Sequence, residues 1–177
     1  MQQLQATKVK QRTDCPICHY QVDPSNQDTF FSFRCGIRAL MNESFKVWRC
    51  PDCKTIHCLD VVDLDAYYAQ YPFDDAQLVW PLRIIYKNLL RQLTQYGFSK
   101  DHSFLDYGCG VHGLFVQYLQ ENGFKHVYGY DPYAPASGLG DLVTVTQQKF
   151  DYISSQDVIE HVEDPGAFLS DIDKMSA

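Results

Sequence analysis

The segment "FLDYGCGVHGLF", Phe104 to Phe115, constrains the fold more than any other part of the chain. A short apolar run ends at Asp106, three glycines follow at Gly108, Gly110 and Gly113, and an apolar helical run begins at once. A strand that turns on glycines directly into a helix is the opening of a parallel α/β unit. Glycines at such a turn let the backbone bend sharply and let a ligand approach where Cβ atoms would stand.

The pattern continues downstream. "LFVQYLQEN" reads as a helix ended by Gly123, and "HVYGYD" as a second strand. "LVTVT" reads as a third, weaker strand and "FDYISS" as a fourth. Asp164 and Pro165 then open a last helix whose apolar face is Phe168, Leu169, Ile172 and Met175. Strands alternating with helices predict a doubly wound parallel sheet. Upstream, Leu78, Leu82, Ile85, Leu89, Leu93 and Tyr96 recur at helical spacing, with Pro81 near the start and Gly97 at the end. The last helix should lead back to a further strand, so the sheet is expected to lack its C-terminal strands, as in a piece of a longer protein. Its bare strand-four edge would invite pairing with a second copy.

The first sixty residues have a different character. They are rich in Cys, Phe and turn residues and read as short strands and loops. Six of the seven cysteines lie between Cys15 and Cys58, and the seventh is Cys109 in the glycine loop. "CPIC" at Cys15 and Cys18 and "CPDC" at Cys50 and Cys53 are two C-x-x-C pairs separated by 31 residues. Each pair can aim two thiolates at one ion, and four thiolates complete the closed tetrahedral shell of a structural zinc. Two other readings stay open, a redox pair and four unliganded core cysteines. His19, Cys35, His57 and Cys58 are spare ligands that a full shell leaves to packing or surface. The organisation expected is a zinc-ribbon-like module over 1–62, a connector and helix over 63–100, and an α/β domain over 101–177. The connector "LDVVDLDAYYAQYPFDD" offers Tyr67, Tyr68, Tyr71 and Phe73 for packing.

Charge narrows the function classes. The net charge is −7, and the acidity lies downstream of Asp60. An acidic main domain repels phosphate backbones, which disfavours nucleic acid as a partner. The sequence has neither an apolar run of membrane-span length nor a signal-type N-terminus, so the expected location is the cytoplasm.

Two carboxylates bear on the ligand. Asp106 stands two residues before the first glycine, where a pyrophosphate would be repelled and an ammonium group would be accepted. That favours an amino-acid-like ligand over a dinucleotide. Asp131 closes the second strand in "GYDPY", placed to take both ribose hydroxyls of a nucleoside. A nicotinamide-dependent oxidoreductase and a non-catalytic zinc-containing scaffold remain as alternatives.

With these residues in hand, the chain resembles a known family. "LDYGCGVHG", "GYDPY" and "FDYISSQDVIEHVEDP" are similar to the successive motifs of class I S-adenosylmethionine-dependent methyltransferases, of the small-molecule type with E-H-V after strand four. The double C-x-x-C and "LDAYYAQYP" are similar to members that carry a zinc-binding segment before the domain, among them sugar and secondary-metabolite methyltransferases. The resemblance implies a Rossmann-like fold and a small-molecule methyl acceptor. It implies that Asp106, Gly108 and Gly110, within the loop closed by Gly113, meet the methionine part of the cofactor, and that Asp131 meets the ribose. Gln156 and Asp157 would border the cofactor or acceptor pocket. His112 departs from the small residue relatives carry, and the adenine contact would fall to Gln147 or Gln148. Near the pocket, His161 is the candidate general base, with Glu160 beside it; a cap or packing role for His161 is the competing reading. Cys109 reads as packing.

Overall fold

The computed structural model describes residues 8–23, 25–34, 43–64, 77–133 and 145–177. The connector aromatics Tyr67, Tyr68, Tyr71 and Phe73, and Cys35, lie outside the described residues. The chain divides into two compact units, Met1–Pro72 with Glu163–Gly166, and Phe73–Val162 with Ala167–Ala177.

In the first unit, β1 (Lys8–Gln11) pairs antiparallel with β5 (Asp60–Val62). A separate antiparallel sheet runs in the order β2 (Phe30–Arg34), β3 (Ser44–Arg49), β4 (Ile56–Cys58). These are the short strands and loops expected of a segment without helical periodicity. Its small core consists of Cys15, Trp48, Cys50 and Leu59, with Cys18, Val22, Phe30 and Cys53 packed against it. Two of its four buried residues are cysteines of the C-x-x-C pairs, so the core of this unit and its cysteine cluster are one structure.

The second unit is built on a parallel sheet of three strands in the order β7 (Val127–Tyr130), β6 (Phe104–Tyr107), β8 (Tyr152–Ser154). The central strand reads F-L-D-Y because both of its faces are covered: Phe104 and Leu105 point to opposite sides, and each is wholly buried. On one face Phe104 joins Phe115, Val116, Tyr118 and Leu119 of α2 (Leu114–Glu121), together with Phe98, Phe124 and Val127. Leu89, Leu90 and Leu93 of α1 (Trp80–Gln95) pack against them. On the other face Leu105 meets Tyr130, Val145, Phe150 and Met175, with Ile172 beside them from α3 (Pro165–Met175).

Helices α1 and α2 end in the same way. The Gly97 and Phe98 N–H groups bond back to the Thr94 and Leu93 carbonyls, and the Gly123 and Phe124 N–H groups to those of Gln120 and Leu119. This is the Schellman pattern, in which the residue after the glycine is apolar and folds back onto the helix. Here the two apolar residues are Phe98 and Phe124, whose rings stack with centroids 4.9 Å apart and planes 10° from parallel.

Three expectations need correction, the simplest being Leu169, placed on the apolar face of α3 and 53% exposed. "LVTVT" is not a strand where it is described: Val145 and Thr146 are in a helical turn, and 142–144 lie outside the described residues. Val145 is fully buried against Leu105, Tyr130, Phe150 and Met175, and this packing overrides the strand preference of its branched side chain. The expected apolar face of α1 is met at Leu89 and Leu93, with Leu78 just before the helix, but not throughout. Ile85 and Tyr96 are exposed, while Tyr86 and Leu90 face the core. The Tyr86 ring lies 5.1 Å from Phe115 and 5.9 Å from Tyr118, centroid to centroid, and this aromatic contact favours Tyr86 over Ile85. Among the described residues no helix is long and apolar enough to cross a membrane.

Candidate functional site

The carboxyl ends of β6, β7 and β8 lie side by side, because parallel pairing sets Asp106 opposite Gly129 on one side and Ser154 on the other. Asp106 is 5% exposed and accepts a 2.5 Å hydrogen bond from Ser154 Oγ. Burial pushes its carboxyl from the ordinary 3.8 up to about 6; the Ser154 bond opposes this shift and the nearby Asp131 charge adds to it. The next hydroxyl along, Ser155 Oγ, is buried and has no hydrogen-bond partner among the described residues.

The glycine loop follows from β6. Gly108 has φ +83°, and a Cβ there would stand 2.2 Å from Val158 Cγ2, so the segment after β8 can pack on the loop only because residue 108 has no side chain. Gly110 has φ +66°, and a Cβ there would meet nothing within 4 Å. The first glycine serves packing, and the second has open space where its side chain would stand. Gly113, with φ +52°, is the N-cap of α2. Asp131, just past β7, accepts hydrogen bonds from the Gly110 N–H through Oδ2 and from the Tyr133 N–H through Oδ1, both at 2.9 Å. It ties the tip of the loop to the second strand.

Cys109 points away from this surface and its Sγ packs on Gly129, where a Cβ would come within 2.8 Å of the sulfur. Burial, with Asp106 and Asp131 nearby, raises its thiol to about 12, away from the thiolate form a nucleophile needs. Gln156 is half-buried; Asp157 is exposed with φ +54°. His161 is exposed at the end of the 3-10 turn Ile159–His161, its N–H bonded to the Val158 carbonyl at 2.8 Å. Gln147 is exposed and Gln148 half-buried in the turn that follows Val145. Sequence reasoning missed Ser154, Val158 and Gly129. Each is marked by a partner distant in the chain: Asp106 for Ser154, Gly108 for Val158 and Cys109 for Gly129.

A glycine loop and two acids at the carboxyl ends of adjacent parallel strands define the end of the sheet at which α/β domains carry their ligands. A family model described as a methyltransferase domain matches residues 82–177, more than half of the 177 residues. The chain therefore belongs to this methyltransferase family, and membership implies the use of S-adenosylmethionine. No curated protein matches the chain. The residues present fit such a ligand: the buried Asp106 suits an ammonium group, Gly110 has open space where a side chain would stand, and Asp131 retains acceptor capacity for hydroxyls.

The second cluster lies in the first unit. Cys15, Cys18, Cys50 and Cys53 have their sulfurs within 4.8 Å of one another, with Cys15–Cys53 and Cys18–Cys50 both at 3.6 Å. Four sulfurs on a tetrahedral zinc, each at about 2.3 Å from it, stand roughly 3.8 Å apart. The arrangement is compatible with a metal site of that kind. Two matching turns produce it. The His19 N–H bonds to the Cys15 carbonyl and the Lys54 N–H to the Cys50 carbonyl; Cys15 N–H reaches Tyr20 and Cys50 N–H reaches Thr55. His19 and Lys54 both have positive φ, at 59° and 65°. Hydrogen bonds from the Thr55 hydroxyl and N–H lower the Cys53 thiol to about 6, whereas burial raises that of Cys15. His57, one of the spare ligands, has Nε2 at 3.3 Å from Cys15 Sγ.

Proposed function

We propose that this chain transfers a methyl group from S-adenosylmethionine to a small-molecule acceptor, and that its N-terminal unit is held together by a structural zinc ion. The observation that supports the reading best is the buried Asp106 carboxylate beside the open space at Gly110. A dinucleotide would bring a pyrophosphate to this position and meet a negative charge; an amino-acid ammonium meets an acceptor. When bound, S-adenosylmethionine supplies a methyl group on a positively charged sulfur, an electrophile that needs no further activation.

The task left to the protein is alignment. Asp106 takes the ammonium, Gly108 and Gly110 admit the amino-acid part along the loop, and Asp131 takes the ribose hydroxyls while it keeps Gly110 in place. Gln156 and Asp157 border the acceptor side. His161 is the group we assign to hold a proton released by an acceptor hydroxyl or amine. The four cysteines bind zinc as thiolates, leaving no open position for chemistry.

Calorimetric titration of the full, zinc-replete chain with S-adenosylhomocysteine tests the cofactor assignment, with a nicotinamide dinucleotide as control. Saturable binding of the first alone is expected. Asp131→Ala should weaken it roughly a hundredfold, the scale of losing hydrogen bonds to a charged group. Binding of the dinucleotide in preference would overturn the reading.

A further inference from the structure

The cysteine cluster has a neighbour that four-thiolate ligation does not use. His57 sits on β4 directly opposite Trp48 of β3, and its Nε2 is 3.3 Å from Cys15 Sγ. Its ring lies against Trp48 with centroids 6.3 Å apart, and Tyr20 stacks on Trp48 at 6.5 Å. Trp48 is 1% exposed, so this aromatic row is anchored in the core of the unit. This packing holds the imidazole beside the cluster. On the other side of the cluster, Thr55 Oγ1 stands 3.0 Å from Cys53 Sγ. Two side chains that follow the second C-x-x-C pair therefore each reach one sulfur, and those sulfurs belong to different pairs.

We infer that His57 is a positioning residue of the metal centre: its Nε2–H donates a hydrogen bond to the Cys15 thiolate and is not itself a ligand. The inference rests on the zinc reading above. Four thiolates on a divalent ion leave a net charge of −2, and a half-buried site must compensate it. An N–H aimed at a thiolate withdraws charge from that sulfur. That withdrawal, with the orientation the bond imposes on the sulfur, slows loss of the metal. Residue 57 is well suited to this because the β3–β4 register places it against Trp48 and the cluster at once.

The test uses the full chain loaded with one zinc ion, as wild type, His57→Phe and His57→Gln, the last retaining an N–H donor. Zinc affinity is measured by chelator competition, and zinc release by the rate of transfer to a colorimetric chelator. His57→Phe should lose roughly tenfold or more in affinity, the range typical of partners that orient metal ligands. His57→Gln should retain most of it. Equal losses in the two variants would assign the effect to packing on Trp48 and overturn the inference, as would an unchanged affinity in His57→Phe. Two measurements on the wild type do not depend on whether a variant folds. Cobalt substitution should give the spectrum of four sulfur ligands, and nitrogen NMR of the zinc-loaded chain should show Nε2 protonated. Three sulfurs and a nitrogen, or a bare Nε2, would overturn it. A wild-type chain that takes up no zinc would remove both the zinc reading and this one.

Discussion

Asp106 carries opposed demands on stability and binding. Its carboxyl has a folded value of about 6 against 3.8 ordinarily, so the native state holds this proton more tightly than the unfolded chain. The stability this contributes is complete below pH 4 and is lost as pH rises through 6. A shift of two units corresponds to about 3 kcal/mol. Asp106→Asn keeps a partner for Ser154 and removes the charge. In thermal unfolding without ligand at pH 8, the variant should exceed the wild type by up to about 3 kcal/mol, and the difference should vanish by pH 4. The same variant should lose most of its affinity for S-adenosylhomocysteine. Wild-type affinity should in turn fall as pH drops from 7 to 5, because a protonated Asp106 no longer attracts an ammonium group.

At the scale of elements, the two cysteine turns are near copies, and each closes on a residue with positive φ that is not glycine. A side chain in that region costs about 1 kcal/mol relative to glycine. Lys54→Gly should therefore stabilise the first unit by about 0.5–1 kcal/mol, read as a raised denaturant midpoint at fixed zinc, provided the site stays loaded. The helices show how far local pattern reaches. Pro81 near the start of α1, and Gly97 and Gly123 at the ends of α1 and α2, lie where the sequence places them, since capping is decided within one turn of backbone. Leu78, Leu89 and Leu93 of the expected face do pack on the core, and the reading fails where it chose Ile85 over its neighbour Tyr86. Only the contact of Tyr86 with Phe115 and Tyr118 distinguishes them. "LVTVT" fails as a strand for a related reason: Val145 satisfies its burial as part of a helical turn.

Across the whole molecule, the two units have separate cores. That of the first contains Cys15 and Cys50, whereas the two clusters of the second contain no cysteine. Removal of zinc by a chelator should therefore melt the first unit and leave the second folded. Trp48 is buried and Trp80 is 74% exposed, so in a Trp80→Phe background the fluorescence reports the first unit alone. Chelation should shift its emission to the red, while the far-ultraviolet helical signal of the second unit persists. Loss of both signals together would show that the units do not fold independently.

What the sequence determined by itself are the features whose cause is local or compositional. The C-x-x-C spacing brings two sulfurs together over one tight turn, the glycines mark where backbone must bend after β6, and alternating strands and helices imply a parallel sheet. Asp106 and Asp131 could be placed at the carboxyl ends of β6 and β7 because each closes a legible strand. Tertiary structure alone decided which residues complete these groups. Ser154 meets Asp106 through the register of β8 on β6, 48 residues away in the chain, Val158 fills the space over Gly108, and His57 reaches Cys15 across 42 residues. Backbone preferences and ligand spacing act over a few residues and leave a mark in the sequence. Strand register and side-chain packing act between distant segments, and no local pattern at Ser154, Val158 or His57 records the partner each will meet.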